Sequence, residues 1–464
     1  MTAGAESPGV SDLVGVRIGV EPDAAIDPFS LAGDDGRLLR SNRLTLVGFG
    51  RAATLSLPEG LEDRTALDRV VRQLASIECD DALAGGYDAL PAPVLAFGGL
   101  PFDRGAAATL VVPELTVGWS EDGRVWCTVL GANRGDLPSS PRELTERLAA
   151  RLAETEATRP GPETSRYEIE TLVPRANDDD FERAVAEAIA AIDAGELTKV
   201  VLARQVDVVM TEPVEVPALL RRWSGLEPAC TVFSAPVDDG QFVGASPELL
   251  VERSGNRVRS RPLAGTTGSR PNNAPDLRSA ALFDSEKDVA EHRLVVEAIA
   301  GALGPLSRDL DAPPHPELVR LRSMTHLGTQ IDGTLDPRAD GSVPHVLELL
   351  RALHPTPAVG GVPSTVARAM IERLEPRERG PYAGPVGFVD AAGDGRFVVG
   401  IRSMTVRGRD AQLAAGVGIV EGSEPRSERA EADLKLRAVL DALAPDADLD
   451  TDFRADAGRP LVRR

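Results

Sequence analysis

The stretch Leu197-Thr198-Lys199-Val200-Val201-Leu202-Ala203-Arg204 limits most sharply what this chain can fold into. It is apolar and β-branched, and it follows the turn-like Asp193-Ala194-Gly195, so it reads as a buried strand. A lysine inside such a strand is unusual. It is more unusual here, because 51 residues are Lys or Arg and only Lys199, Lys287 and Lys435 are lysines. Arginine stays protonated, whereas a desolvated lysine can lose its proton and act as a base. The three lysines are therefore expected to share one site, with Lys199 as its general base.

The 464 residues suffice for one very large domain or two to four ordinary ones. A net charge of −21 argues against nucleic acid and anionic membrane surfaces as partners. Cys79, Cys127 and Cys230 are scattered, without disulfide or zinc spacing. The first ten residues lack a signal-peptide pattern, and no run approaches a membrane span, so a cytoplasmic protein is expected. Residues 1–15 and 446–464 read as flexible ends.

The pattern predicts strands over 43–50 and 93–102, a helix over 61–77, and a hairpin of 110–117 with 125–130 around Glu121-Asp122-Gly123. The GxG of Gly48-Phe49-Gly50 lacks the third glycine and the following helix of a dinucleotide site. A helix over 141–157 precedes a polar stretch, 158–177, which fits either a linker between domains or a surface loop within one fold. Then come a helix over 181–194 with cap candidates Asp178 to Asp180, two strands flanking Ser254-Gly255-Asn256, and helices over 284–303 and 343–353. Strands over 387–389, 397–406 and 412–419 and a helix over 425–443 close the chain.

Several segments carry chemistry-bearing residues. Glu428, Glu431 and Lys435 share a helix face, and the small-residue strand Ala414-Ala415-Gly416-Val417-Gly418 before them permits close approach of a ligand. Lys287 and Glu291 are i, i+4 neighbours, with His292 aligned to the apolar stripe as a core histidine. Taken alone, both helices could be ordinary salt-bridged ones. Glu248 sits among small and apolar residues, where burial would raise its pKa toward that of a general acid. Gly265 and Thr266 lie in a glycine-bearing loop suited to a carboxylate. Tyr382 precedes Arg402, which sits in an apolar strand and could grip a carboxylate bidentately. His354 lies in a rigid, proline-bearing loop. Carboxylates without His or Cys partners suit Mg²⁺ and an anionic small molecule.

In this order the motifs Lys-Val-Val-Leu-Ala-Arg, Ala-Ser-Pro-Glu-Leu, Pro-Leu-Ala-Gly-Thr, Lys-Asp-x-x-Glu-His, His-Pro-Thr-Pro-Ala, Tyr-Ala-Gly-x-Val-Gly, Ile-Arg and Ala-Gly-x-Gly-Ile-Val, closing on Ser-x-Pro-x-x-Glu-x-x-Glu, resemble the chorismate-utilising enzymes, and the isochorismate synthase branch in particular. The resemblance implies an α/β (α+β) fold of two β-sheets with helices packed around them. It makes residues 16–445 a single catalytic domain and 158–177 a loop. It implies chorismate as substrate, Mg²⁺ on Glu291 and Glu431 with Glu428 close by, directly or through water, and substrate held by Gly265, Thr266, His354, Tyr382, Arg402, Gly416, Gly418 and Lys435. Lys199 would activate water for attack at C2 and Glu248 would protonate the departing C4 hydroxyl. Anthranilate synthase component I resembles this pattern but has Gln at the position of Lys199. Aminodeoxychorismate synthase has a lysine at the position of Ala264. Salicylate synthase, which goes on to eliminate pyruvate, shares Lys199 and the Pro-Leu-Ala-Gly-Thr loop. A monomer without an obligatory amidotransferase subunit is expected, its product feeding menaquinone or siderophore biosynthesis.

Overall fold

A computed structural model describes residues 10–20, 26–82, 90–157, 168–237, 240–268 and 281–444. The opening run becomes the strand Lys199–Met210, buried on both faces for most of its length. It pairs antiparallel with Asp410–Ile419 on one side and with Ile169–Pro174 on the other. These strands begin a thirteen-stranded sheet among the described residues. The sheet continues through Ser403–Arg407, Gly240–Ser246, Thr231–Val237, Arg37–Arg40, Leu44–Phe49, Leu115–Ser120, Val125–Gly131 and Val14–Val20 to Glu78–Asp81, and the short Gly361–Val362 pairs with the start of the long strand.

A second sheet of nine strands includes Leu249–Ser254, Gly395–Val399, Pro385–Asp390, Leu95–Gly99 and Ala53–Leu57. A small third sheet joins Leu263–Gly268, Met324–Gly328 and Glu317–Arg320. The two large sheets share an apolar layer. Leu39, Leu46, Trp126, Phe233 and Phe242 from the first pack with Leu95, Phe97, Val386, Phe388 and Val398 from the second. Removing one such aromatic side chain costs about 3–5 kcal/mol, because the surrounding wall closes only partly.

Helices cover the outer faces. Pro425–Leu443 packs on Asp410–Ile419, and Asp178–Asp193 packs beside it. Glu286–Leu303 starts at Ser285, whose side chain accepts a hydrogen bond from the Asp288 amide, and it lies against Leu263–Gly268.

Several expectations change. The run 110–117 breaks at Pro113, which lacks an N–H for the ladder. Ala108–Val112 enters the second sheet, and Leu115–Ser120 pairs with Val125–Gly131 in the first. The cap of Asp178–Asp193 is Asn177, one residue before the predicted aspartates. The polar stretch 158–177 contains the strand Ile169–Pro174, while 158–167 lies outside the described residues. Residues 10–12 form a short 3-10 helix and Val14 opens a strand, so the ordered chain begins before residue 16. The predicted tail 446–464 lies outside the described residues. Helices Val216–Leu226 and Ser364–Leu374 had not been expected.

Candidate active site

A cleft opens between the Asp410–Ile419 strand of the first sheet, the small third sheet and the helices Glu286–Leu303 and Pro425–Leu443. It holds about 720 Å³ of empty space, part of it open to solvent. Glu248, Gly265, Thr266, Glu291, Tyr382, Arg402, Gly416, Gly418, Glu431 and Lys435 all line it. Segments up to 187 residues apart in sequence thus converge on one site.

Glu248 follows the strand Gly240–Ser246, and Leu249–Ser254 begins immediately after it, so Glu248 sits where the chain passes from the first sheet to the second. It is 3% exposed. Burial raises its carboxyl to about 8, against the lowering pull of the Lys199 charge and of a hydrogen bond from the Leu263 amide. It therefore carries a proton at neutral pH.

Lys199 is fully buried, and its Nζ lies 2.9 Å from Glu291 Oε1 as a contact ion pair without hydrogen-bond alignment. It shares its strand face with Val201, which lines the cleft. Burial works to raise the Glu291 carboxyl, but the charges of Lys199, Lys435 and Lys287 outweigh it and hold the group below its ordinary value. Gly418 makes the pair feasible: a Cβ there would stand 2.1 Å from Glu291 Oε1 and 3.2 Å from Lys199 Cε. An ammonium engaged this way has no lone pair to accept a proton.

Arg402 is not inside a strand as the sequence suggested. It lies between Gly395–Val399 and Ser403–Arg407, where the chain crosses from the second sheet to the first. Its φ of 52° is left-handed and strained for a side chain with a Cβ. The backbone holds it there: the Arg402 carbonyl accepts the Ala245 amide, and the Ala383 amide donates to the Gly400 carbonyl nearby.

One Arg402 nitrogen is 3.1 Å from His326 Nε2, and Arg402 Nε is buried without a partner. His326 itself is buried, and burial followed by the charge of Arg402 pushes its pKa well down. Nε2 thus accepts from Arg402, which puts the proton on Nδ1, within 3.2 Å of the Gly265 carbonyl and 3.1 Å of Thr266 Oγ1. His326 therefore ties the Arg402 guanidinium to the Gly265 loop. The sequence reading missed it, because its only signal is a lone histidine in an apolar strand. Gly265 itself has φ +69°, a conformation that glycine adopts freely.

Tyr382 lies beneath Gly416, and burial raises its phenol to about 12. Arg379, also missed, lines the cleft beside it. Arg379 pairs with Glu375 and donates to the Val201 and Val359 carbonyls, which fixes the strand backbone behind the site.

On the last helix, Lys435 Nζ lies 2.7 Å from Glu431 Oε1 and donates to the Gly416 carbonyl at 2.9 Å. Glu428 is buried and bonded to Lys287. Burial raises its carboxyl, and the Glu431 charge adds to this against the pull of Lys287. A divalent ion would relieve this repulsion between the Glu428 and Glu431 carboxylates. The set Glu291, Glu428 and Glu431 offers only oxygen donors, which suits Mg²⁺. Another acidic cluster, Asp68, His345 and Glu348, is taken up by helix capping and by Arg338.

Three expected residues stand apart from the cleft wall. Lys199 and Glu428 lie just behind it, each paired to a carboxylate or a lysine. His354 is farther off: it is buried against Phe102, bonded to that residue's carbonyl at 2.8 Å, and burial lowers its pKa to about 4. It is not among the residues that line the cleft. His292 bonds Thr329 Oγ1 at 2.8 Å, the core histidine anticipated.

The chain belongs to the chorismate binding enzyme family, whose model matches residues 38–444. It is 37% identical over 360 residues to the isochorismate synthase DhbC of Bacillus subtilis, a match covering 76% of this chain and 81% of that protein. It is 33% identical over 345 residues to the isochorismate synthase EntC of Escherichia coli, covering 74% and 79%. The solved structure of the menaquinone-specific isochorismate synthase MenF of Escherichia coli matches with a TM-score of 0.74 at 26% identity, over 94% of this chain and 95% of that one.

Proposed function

We propose that the chain is an isochorismate synthase that converts chorismate to isochorismate with Mg²⁺. The observation that carries this reading is Glu248: a buried carboxyl in the wall of a pocket that also presents Arg402 and Lys435, its pKa raised to about 8, is a proton donor at neutral pH. Arg402, with its free buried Nε, and the Gly265–Thr266 loop hold substrate carboxylates, assisted by Tyr382 and Lys435. Gly416 and Gly418 let the ring approach the strand backbone. Lys199 takes the proton of the water that attacks C2. Glu248 gives its proton to the C4 hydroxyl, which leaves as water, so one water enters and one departs. Mg²⁺ held by Glu291, Glu428 and Glu431 would neutralise a substrate carboxylate.

Support also comes from the names of the relatives, which include isochorismate synthases, and from Lys199 and Ala264, where the resembling anthranilate synthase component I has Gln and aminodeoxychorismate synthase has lysine. We further propose that residues 16–445 act as one catalytic unit, since both large sheets draw strands from both sides of the 158–177 stretch. The protein is proposed to work in the cytoplasm as a monomer, without an amidotransferase subunit, and to supply menaquinone or siderophore biosynthesis. Among the described residues no helix is long and apolar enough to cross a membrane.

The test is product analysis. Purified protein with Mg²⁺ and chorismate should yield isochorismate by HPLC, with no pyruvate in a coupled assay. Stoichiometric pyruvate would assign it as a salicylate synthase instead.

A further inference from the structure

Each of the three lysines is matched to a different one of the three carboxylates proposed to hold the ion. Lys199 lies 2.9 Å from Glu291, Lys435 lies 2.7 Å from Glu431, and Lys287 bonds Glu428. These are not surface pairs: the lysine side chains are 0%, 13% and 33% exposed. The chemistry of the matching residue is informative. Elsewhere the chain uses arginine to hold carboxylates, as in Arg379–Glu375 and Arg253–Asp394. Arginine's planar fork grips two oxygens and is not readily displaced, whereas an ammonium is a compact point charge on a flexible stem. A divalent cation and an ammonium compete for the same carboxylate lone pairs.

We propose that the three lysines are exchangeable counter-ions of the ion site: Mg²⁺ binding ejects their ammoniums from Glu291, Glu428 and Glu431, and so releases Lys199 toward the cleft. The inference rests on the metal reading above and deepens it. Local space permits the exchange, because Gly418 has no side chain on the side where the Glu291 carboxylate and the end of Lys199 meet. It also resolves a conflict in the geometry. Lys199 lies just behind the cleft wall with its ammonium held against Glu291, so the proposed base needs Glu291 to be drawn elsewhere, and the ion does this. Lys287, which stands outside the cleft wall, then has no contact with substrate, and its part is to neutralise Glu428 until the ion arrives.

The scarcity of lysine makes the test direct. Full-length protein labelled at lysine 13Cε and 15Nζ gives side-chain NMR signals from three residues, all at this site. Titration with Mg²⁺, with affinity measured in parallel by calorimetry, should move all three signals to one common saturation point. Lys287→Met should bind Mg²⁺ roughly tenfold more tightly, because a competing charge a few ångströms from the ion is gone. Lys435→Met serves as an independent second variant with the same expected direction. Calorimetric binding that leaves the lysine signals unmoved, or equal or weaker binding by both variants, overturns the exchange alone. No binding of Mg²⁺ overturns the metal reading together with it.

Discussion

Lys199 and Glu248 are two buried ionisable groups proposed for opposite tasks, base and acid. Lys199→Ala should lower turnover roughly 10³-fold, within the range for losing a proton-transfer group, while calorimetry still detects chorismate. Near wild-type turnover would remove it as the base. Glu248 must be protonated to act as an acid, so turnover should fall as pH rises through about 8, and Glu248→Gln should lose most activity at every pH.

Stability supplies a separate check on Glu248. Its folded pKa lies above its ordinary value near 4.5, so the folded state binds the proton more tightly than the unfolded state. Its contribution is therefore intact below about 4.5, declines as pH rises from there to about 8, and is fully lost above that. Glu248→Gln, which cannot ionise, should gain melting temperature relative to the parent across that window, read by scanning fluorimetry at pH 5 and pH 9. A constant difference between the two proteins would show that the carboxyl is not perturbed.

At the scale of elements, the site depends on strands whose glycines differ in purpose. A Cβ at Gly418 would press on the Glu291 carboxylate, the end of a side chain, at 2.1 Å. A Cβ at Gly387 would meet the backbone carbonyl of Arg396 at 1.9 Å, inside the second sheet. Gly418→Ala should therefore fold normally and lose at least about tenfold in activity by displacing the Glu291–Lys199 pair. Gly387→Ala should yield little soluble protein. Circular dichroism and turnover on the two variants distinguish these outcomes. The helices that carry Glu291, Glu428 and Glu431 were legible from i, i+3 and i+4 spacing, because those residues are neighbours on one element. Arg402 was assigned to a strand because its neighbours are apolar and β-branched. Only the crossing between two sheets produces its left-handed backbone.

At the scale of the molecule, strands from before residue 158 and after residue 168 form adjoining blocks in both large sheets, joined where Thr231–Val237 pairs directly with Arg37–Arg40 and Pro385–Asp390 with Leu95–Gly99. Heating should give a single calorimetric transition. A fragment starting at residue 178 should be insoluble, since it would expose the edge of Thr231–Val237 and the apolar layer of Phe233 and Phe242. Two resolved transitions, or a soluble fragment, would argue for separable halves.

The sequence by itself determined the buried lysine strand, the acidic helices, the glycine-bearing loops and the family they resemble. These are properties of local period, residue chemistry and motif order, which a linear reading retains. The tertiary structure alone decided which groups touch. It placed His326 between Arg402 and the Gly265 loop, withdrew His354 to Phe102, and matched each lysine to one carboxylate. Such contacts depend on how two sheets and two helices close around a cleft, and neither pKa nor partner is set until burial and distance are.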